Sequence, residues 1–187
     1  NENGCHCDWD AKSVIFVVRV SVHKDIRTLL IIWEIVHRKY PDWQLQIYGG
    51  YGDEQAELLP IIKKMEANIS VNEPTSDIMD RYADNSILIM TSVFEPFGLV
   101  LPEAMSCGLP VIAFDCPYGP TDIISDGVDG FLIKKRDVQL FADKLCNLME
   151  NRQLRQIMGE AGILSSRRYE AKRIMPMWKH LFEDICN

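Results

Sequence analysis

Residues 87–114 read ILIMTSVFEPFGLVLPEAMSCGLPVIAF, and the fold turns on this stretch. Ile87 to Met90 is an apolar run too short for a helix, and Val111 to Phe114 is another. Such runs fit strands covered on both faces. Between them, glycine, proline and small residues surround Phe94 to Gly98, and a helix follows to about Ser106. Strand, helix and strand in succession imply a βαβ unit with parallel strands.

The same alternation extends outward. Val14 to Val20 is a β-branched run that reads as a strand. From Asp25 to Tyr40, Ile26, Leu29, Leu30, Trp33, Val36 and Tyr40 recur at helical spacing until Pro41. Leu45 to Tyr48 reads as a strand emptying into Gly49-Gly50-Tyr51-Gly52, with a helix from Asp53 to about Met65. A short strand at Ile69–Val71 and a short helix at Asp77–Tyr82 lead into the opening stretch. Beyond it come a last strand at Phe131–Ile133 and helices at Asp137–Glu150 and Gln153–Ile163. A closing amphipathic helix, Glu170–Cys186, carries Ile174, Trp178, Leu181 and Ile185 on one face. The pattern implies an α/β fold, a Rossmann-like parallel sheet with helices on both faces. In such sheets ligands bind beyond the carboxyl ends of the strands.

The chain has 187 residues, 47% hydrophobic and 25% charged, enough for one well-packed domain. A net charge of −7 argues against a general nucleic-acid surface. No apolar run is long enough to span a membrane. Asn1-Glu2-Asn3-Gly4 offers no apolar signal region, and six scattered cysteines read as reduced thiols, so a cytoplasmic location is expected. Cys5-His6-Cys7 has no second Cys/His pair at zinc-ribbon spacing and reads as polar linker; no metal site is expected.

Glu95 and Glu103 flank Gly98 and the start of a helix, whose terminal N–H groups and dipole suit a phosphate. Carboxylates accept hydrogen bonds from sugar hydroxyls, so the ligand class implied is a nucleotide bearing a sugar. Either glutamate taken alone is better explained as a solvated first-turn charge favoured by the dipole. Arg19, inside an apolar strand, needs a partner. The Gly49 to Gly52 turn lacks the G-x-G-x-x-G spacing of a dinucleotide site, the four histidines form no triad pattern, and there is no Gly-x-Ser-x-Gly elbow.

Glu95-Pro-Phe-Gly-Leu-Val-Leu-Pro-Glu103 matches E-x-F-G-x-x-x-x-E, a hallmark of the retaining glycosyltransferases of family 4, the glycosyl transferases group 1 set, which this chain resembles. The likeness continues through Glu103 to Ile112, Gly119 to Ile124 and Asp126 to Leu132. Upstream, Arg19 and Lys24 match R-x4-K, and Tyr40 to Trp43 with Gly49 matches the stretch before a Gly-rich loop. The resemblance implies the carboxyl-terminal, donor-binding half of a two-domain GT-B fold. Residues 1–13 are then a linker from an amino-terminal domain, and 14–187 the nucleotide-sugar domain with its closing helix. That helix resembles the one that packs back on the partner half, through Trp178 and its neighbours.

By position, the resemblance gives Arg19 and Lys24 to the donor diphosphate, with backbone N–H groups of Gly98, Leu99 and Val100. It gives Glu103 to the ribose hydroxyls, and Glu95, the catalytic carboxylate, to the reacting face of the sugar. The base is expected against Glu73 to Thr75. Fixed cations stand in for a divalent metal, so no cofactor is implied. The chain departs from the family in three usual glycine positions, at Val18, Asp25 and Glu73; Asp25 is expected to set a carboxylate beside Lys24. Pro102 is expected to delay or distort the helix after Gly98.

The function implied is hexosyl transfer from a nucleotide-sugar, a UDP-sugar by preference, to a glycan or lipid-linked acceptor in surface polysaccharide synthesis, at the inner face of the membrane in the full-length protein. This domain alone is expected to bind donor without transferring sugar. Two alternatives stay open: a non-catalytic nucleotide-sugar-binding or interaction module, and a GT-B-like epimerase half.

Overall fold

The computed structural model describes residues 5–19, 22–50 and 55–186, with backbone only at Arg19, Val22 and Gln55. Among the described residues six parallel strands form one sheet: β1 (Ser13–Arg19), β2 (Gln44–Gly50), β3 (Ile69–Asn72), β4 (Ile87–Met90), β5 (Val111–Phe114) and β6 (Gly130–Ile133). Their order is β3-β2-β1-β4-β5-β6. The helices are α1 (Ile26–His37), α2 (Gln55–Lys64), α3 (Ile78–Ala83), α4 (Val100–Ser106), α5 (Pro120–Ile123), α6 (Val138–Glu150), α7 (Arg152–Ser166) and α8 (Ala171–Cys186). Single 3-10 turns lie at Val22–Lys24, Lys134–Arg136 and Arg167–Tyr169.

Strand periodicity sorts the core into two layers. Val14 and Phe16 face α1 and α6, where Leu29, Trp33, Phe141 and Leu145 are buried. Ile15, Leu88, Val111 and Ala113 face the other way, onto Tyr82, Leu101, Ala104 and Met105. The expected Rossmann-like sheet, covered on both faces, is therefore what the chain forms. Among the described residues no helix is long and apolar enough to cross a membrane.

Residues 5–12, ahead of β1, are tied to the domain through Cys7 and Trp9. Cys7 N–H donates to the Cys107 carbonyl at 2.7 Å, the Trp9 indole donates to Gly108 O at 2.8 Å, and the buried Arg155 guanidinium donates to Trp9 O. Cys7 lies in the second core layer, where burial pushes its thiol up to about 12. The expectation of six reduced thiols is corrected at one pair. The same docking brings the Cα atoms of Cys5 and Cys107 to 4.7 Å, and the two are joined in a disulfide; Cys7, Cys116, Cys146 and Cys186 are free.

Candidate functional site

The direction of strand addition reverses between β1 and β4, where an open α/β sheet has its crevice. These two strands pair only at Val14–Ile87 and Ile15–Leu88, while β1 runs on to Arg19. The gap beyond is bridged by hydrogen bonds from the residues after β4. Thr91, fully buried after β4, donates its hydroxyl to the Lys24 carbonyl at 2.9 Å and the Asp25 carbonyl at 3.1 Å. Val93 N–H donates to His23 O at 2.8 Å.

Lys24 and Glu95 meet in this crevice as an ion pair between Nζ and Oε2. Glu95 is only 7% exposed, a burial that a carboxylate tolerates only with charged or hydrogen-bonding partners. Ser92 Oγ supplies a second contact, at 3.4 Å. Gly98 sits at φ +88°, and a Cβ there would lie 3.0 Å from the Glu95 side chain. Gly119 is held closer still. A Cβ there would come within 2.2 Å of Phe97 O and 2.9 Å of Glu95 O, so the loop after β5 abuts the loop carrying Glu95.

Asp25 does not turn its carboxylate to Lys24, which corrects that expectation. It adopts the left-handed region (φ 48°, ψ 57°), which aspartate tolerates better than most residues. Its side chain accepts from Thr28 N–H at 3.2 Å, capping α1, and from Thr28 Oγ1 at 2.7 Å. It also pairs with Arg136. Arg136 donates further to Ser92 O at 3.0 Å and Thr91 O at 3.1 Å, and lies 4.4 Å from the centre of the Phe114 ring.

Glu103, on α4, faces elsewhere. Its Oε2 accepts from the hydroxyl of fully buried Tyr82 at 3.1 Å. Desolvation raises its carboxyl above the ordinary value, and the Tyr82 hydrogen bond opposes that rise. Glu103 borders a cleft of about 450 Å³ with Leu99, Pro102, Ser106, Arg167 and Tyr169. Pro102 does not delay the helix. It occupies the first turn, where its missing N–H would have had no intrahelical partner.

The crevice thus unites Lys24, Glu95 and Gly98. Leu99 caps and Val100 begins α4. Thr75 lies in the loop after β3, where its Oγ1 accepts from Asp77 N–H at 3.1 Å. The Arg19 side chain and residues 51–54, with half of the glycine turn and the expected helix start at Asp53, lie outside the described residues. Gly49 belongs to β2, where a Cβ would meet Val18 O at 2.3 Å, so it serves close strand approach. Among the described residues no cluster of three or more His, Cys, Asp or Glu side chains has metal-binding geometry. Sequence reading missed Tyr82 and Arg136. A tyrosine ahead of a buried strand gave some signal for the first, and nothing local marked the second.

A relative from Erwinia amylovora, the amylovoran biosynthesis glycosyltransferase AmsD, is 36% identical over 176 residues, which are 93% of this chain and 48% of that protein. An uncharacterised glycosyltransferase of Haemophilus influenzae is 32% identical over 170 residues, 90% of this chain and 48% of that protein. The chain therefore spans about half the length of these curated relatives. Among solved structures, the pneumococcal O-GlcNAc transferase GtfA in complex with UDP and GlcNAc superposes with a TM-score of 0.83 at 28% identity, covering 98% of this chain and 39% of that one. The GtfA/B complex gives 0.85 at 27% identity, over 96% and 37%. The sequence profile described as Glycosyl transferases group 1 matches residues 8–164, and the chain belongs to that family.

Proposed function

We propose that this chain is the donor-binding half of a retaining hexosyltransferase that draws on a nucleotide-sugar, a UDP-sugar by preference. The observation that carries the reading is the Lys24–Glu95 pair in the crevice between β1 and β4, at the start of the Glu95 to Glu103 segment. In the reaction, the bond between the anomeric carbon and the diphosphate oxygen breaks, and its electron pair stays with the nucleoside diphosphate. The acceptor hydroxyl oxygen bonds to that carbon and passes its proton to the departing diphosphate oxygen on the same face. Charge builds up on the diphosphate, so preorganised cations are most effective there. Lys24 and Arg19 have this role, with the amides of Gly98, Leu99 and Val100. Glu95 faces the reacting sugar, Glu103 takes the ribose hydroxyls, and the loop reaching Thr75 takes the base. None of these roles calls for a metal.

Support also comes from relatives: AmsD is named for amylovoran biosynthesis, and GtfA was solved with UDP and GlcNAc. The acceptor is a glycan or lipid-linked sugar, met by the whole protein in the cytoplasm at the membrane face. A second Rossmann-like half, on the amino-terminal side and joined to this domain through the linker 1–13, holds that acceptor and packs on α8. Met175, Met177, Trp178, Leu181, Phe182 and Ile185 on α8 are all exposed, an apolar face that needs a cover. Retention needs the acceptor oxygen within about 3–3.5 Å of the anomeric carbon, which one half-cleft cannot enforce. The test compares this chain with one joined to the second half, following sugar transfer and donor hydrolysis separately. Transfer by the joined protein alone is expected; efficient glycoside formation by the isolated chain would overturn the half-enzyme reading.

A further inference from the structure

Asp25 and Arg136 stand 111 residues apart, yet both hold positive φ, 48° and 51°, and their side chains form an ion pair. Side chains with a Cβ are disfavoured in that region, so two such residues facing one another mark a built contact. Its wiring leads to Lys24. Arg136 holds the carbonyls of Thr91 and Ser92 while gripping Asp25. The Thr91 hydroxyl in turn holds the carbonyls of Lys24 and Asp25. Segments that follow β1, β4 and β6 are thereby locked together around the backbone that carries Lys24.

We propose that Asp25 and Arg136 are a positioning pair for Lys24, fixing the backbone from which its ammonium reaches the donor diphosphate. The inference rests on the donor-site reading above. It assigns Asp25, where a glycine is usual, a constructive part in donor binding. A purely electrostatic role would have the opposite sign for one partner: a carboxylate near a diphosphate repels it, so its neutralisation would tighten binding. Positioning requires that neutralising Asp25 weaken binding.

The test titrates UDP and uridine into the wild-type chain, Asp25→Asn, Arg136→Lys and the double variant, with thermal melting of each. Asparagine accepts the left-handed conformation and still caps α1, and lysine keeps the charge while losing the guanidinium fork. Each single variant should weaken UDP binding about tenfold, with the double variant no worse than either and uridine binding unchanged. Tighter UDP binding by Asp25→Asn would overturn the proposal in favour of a field effect. Independent, additive losses would overturn it in favour of direct phosphate contact by Arg136, and equal losses for UDP and uridine would reduce the pair to a structural brace. A folded wild-type chain that ignores UDP would overturn the donor-site reading itself, and this inference with it.

Discussion

Lys24 and Glu95 join across 71 residues of sequence, so the cation assigned to the diphosphate is held by the carboxylate assigned to the sugar. On the proposed roles, a donor competes with Glu95 for Lys24. Lys24→Met should weaken UDP binding about tenfold, the scale of one charge-assisted hydrogen bond. Glu95→Gln should bind UDP as well as wild type or better, while transfer by the protein joined to its second half falls about a hundredfold or more. Calorimetry and a transfer assay on both variants check the split; a Glu95→Gln protein that loses UDP binding would contradict it.

Glu103 should make nucleotide binding sensitive to mild acid. In its proposed role it must be ionised to accept the two ribose hydroxyls, and burial raises its pKa. Ribonucleotide affinity should therefore fall as pH drops, with a midpoint above the ordinary glutamate value of about 4.3. For folding the sign is opposite: a carboxyl whose pKa is raised in the folded state adds stability below its unfolded value, and that contribution is lost as pH rises through the folded one. Glu103→Ala should cost a ribonucleotide about 1.5–3 kcal/mol per hydroxyl hydrogen bond, and its 2′,3′-dideoxy analogue little. Titrations across pH 4 to about 8 with both ligands provide the check.

Much of this was legible in the sequence, for reasons that name the exceptions. The runs at Val14, Ile87 and Val111 and the helical spacing from Ile26 to Val36 are local signals, and the sheet followed from them. The Glu95 to Glu103 segment stood out because glycine and two carboxylates leave a local pattern, and in the structure Glu95 joins Lys24 while Glu103 joins Tyr82. Arg136 was not, because its role depends on a contact 111 residues away and on a backbone conformation that no spacing rule assigns to arginine. Asp25 was misread for the same reason: its left-handed turn points the carboxylate to Arg136 and Thr28. The Cys5–Cys107 link depends on how the segment before β1 docks on α4, which composition does not encode.

Gly119 should be intolerant of any side chain. A Cβ would collide with the carbonyls of Phe97 and Glu95, so Gly119→Ala must push apart the loops after β4 and β5. Expected are a stability loss of about 1–3 kcal/mol in denaturant melts and weaker UDP binding. Gly127→Ala is the control, since its Cβ would meet nothing within 4 Å although its φ is also positive. It should lose stability from backbone strain yet leave UDP affinity intact.

The apolar face of α8 should make the isolated chain self-associate. Leu181→Lys and Phe182→Lys place charge among exposed apolar neighbours and should shift the chain toward monomer in sedimentation velocity, with UDP binding unchanged. In the protein joined to its second half, the same substitutions should lower the melting temperature. An unaltered melt there would remove α8 from the interface between halves.

The most direct measurement is a calorimetric titration of UDP, with GDP alongside, into the folded chain in excess chelator. Saturable one-to-one binding without metal, stronger for UDP, is expected from a crevice whose own cations hold the diphosphate. Failure to bind either nucleotide, or binding only after Mg²⁺ or Mn²⁺ is restored, would contradict it.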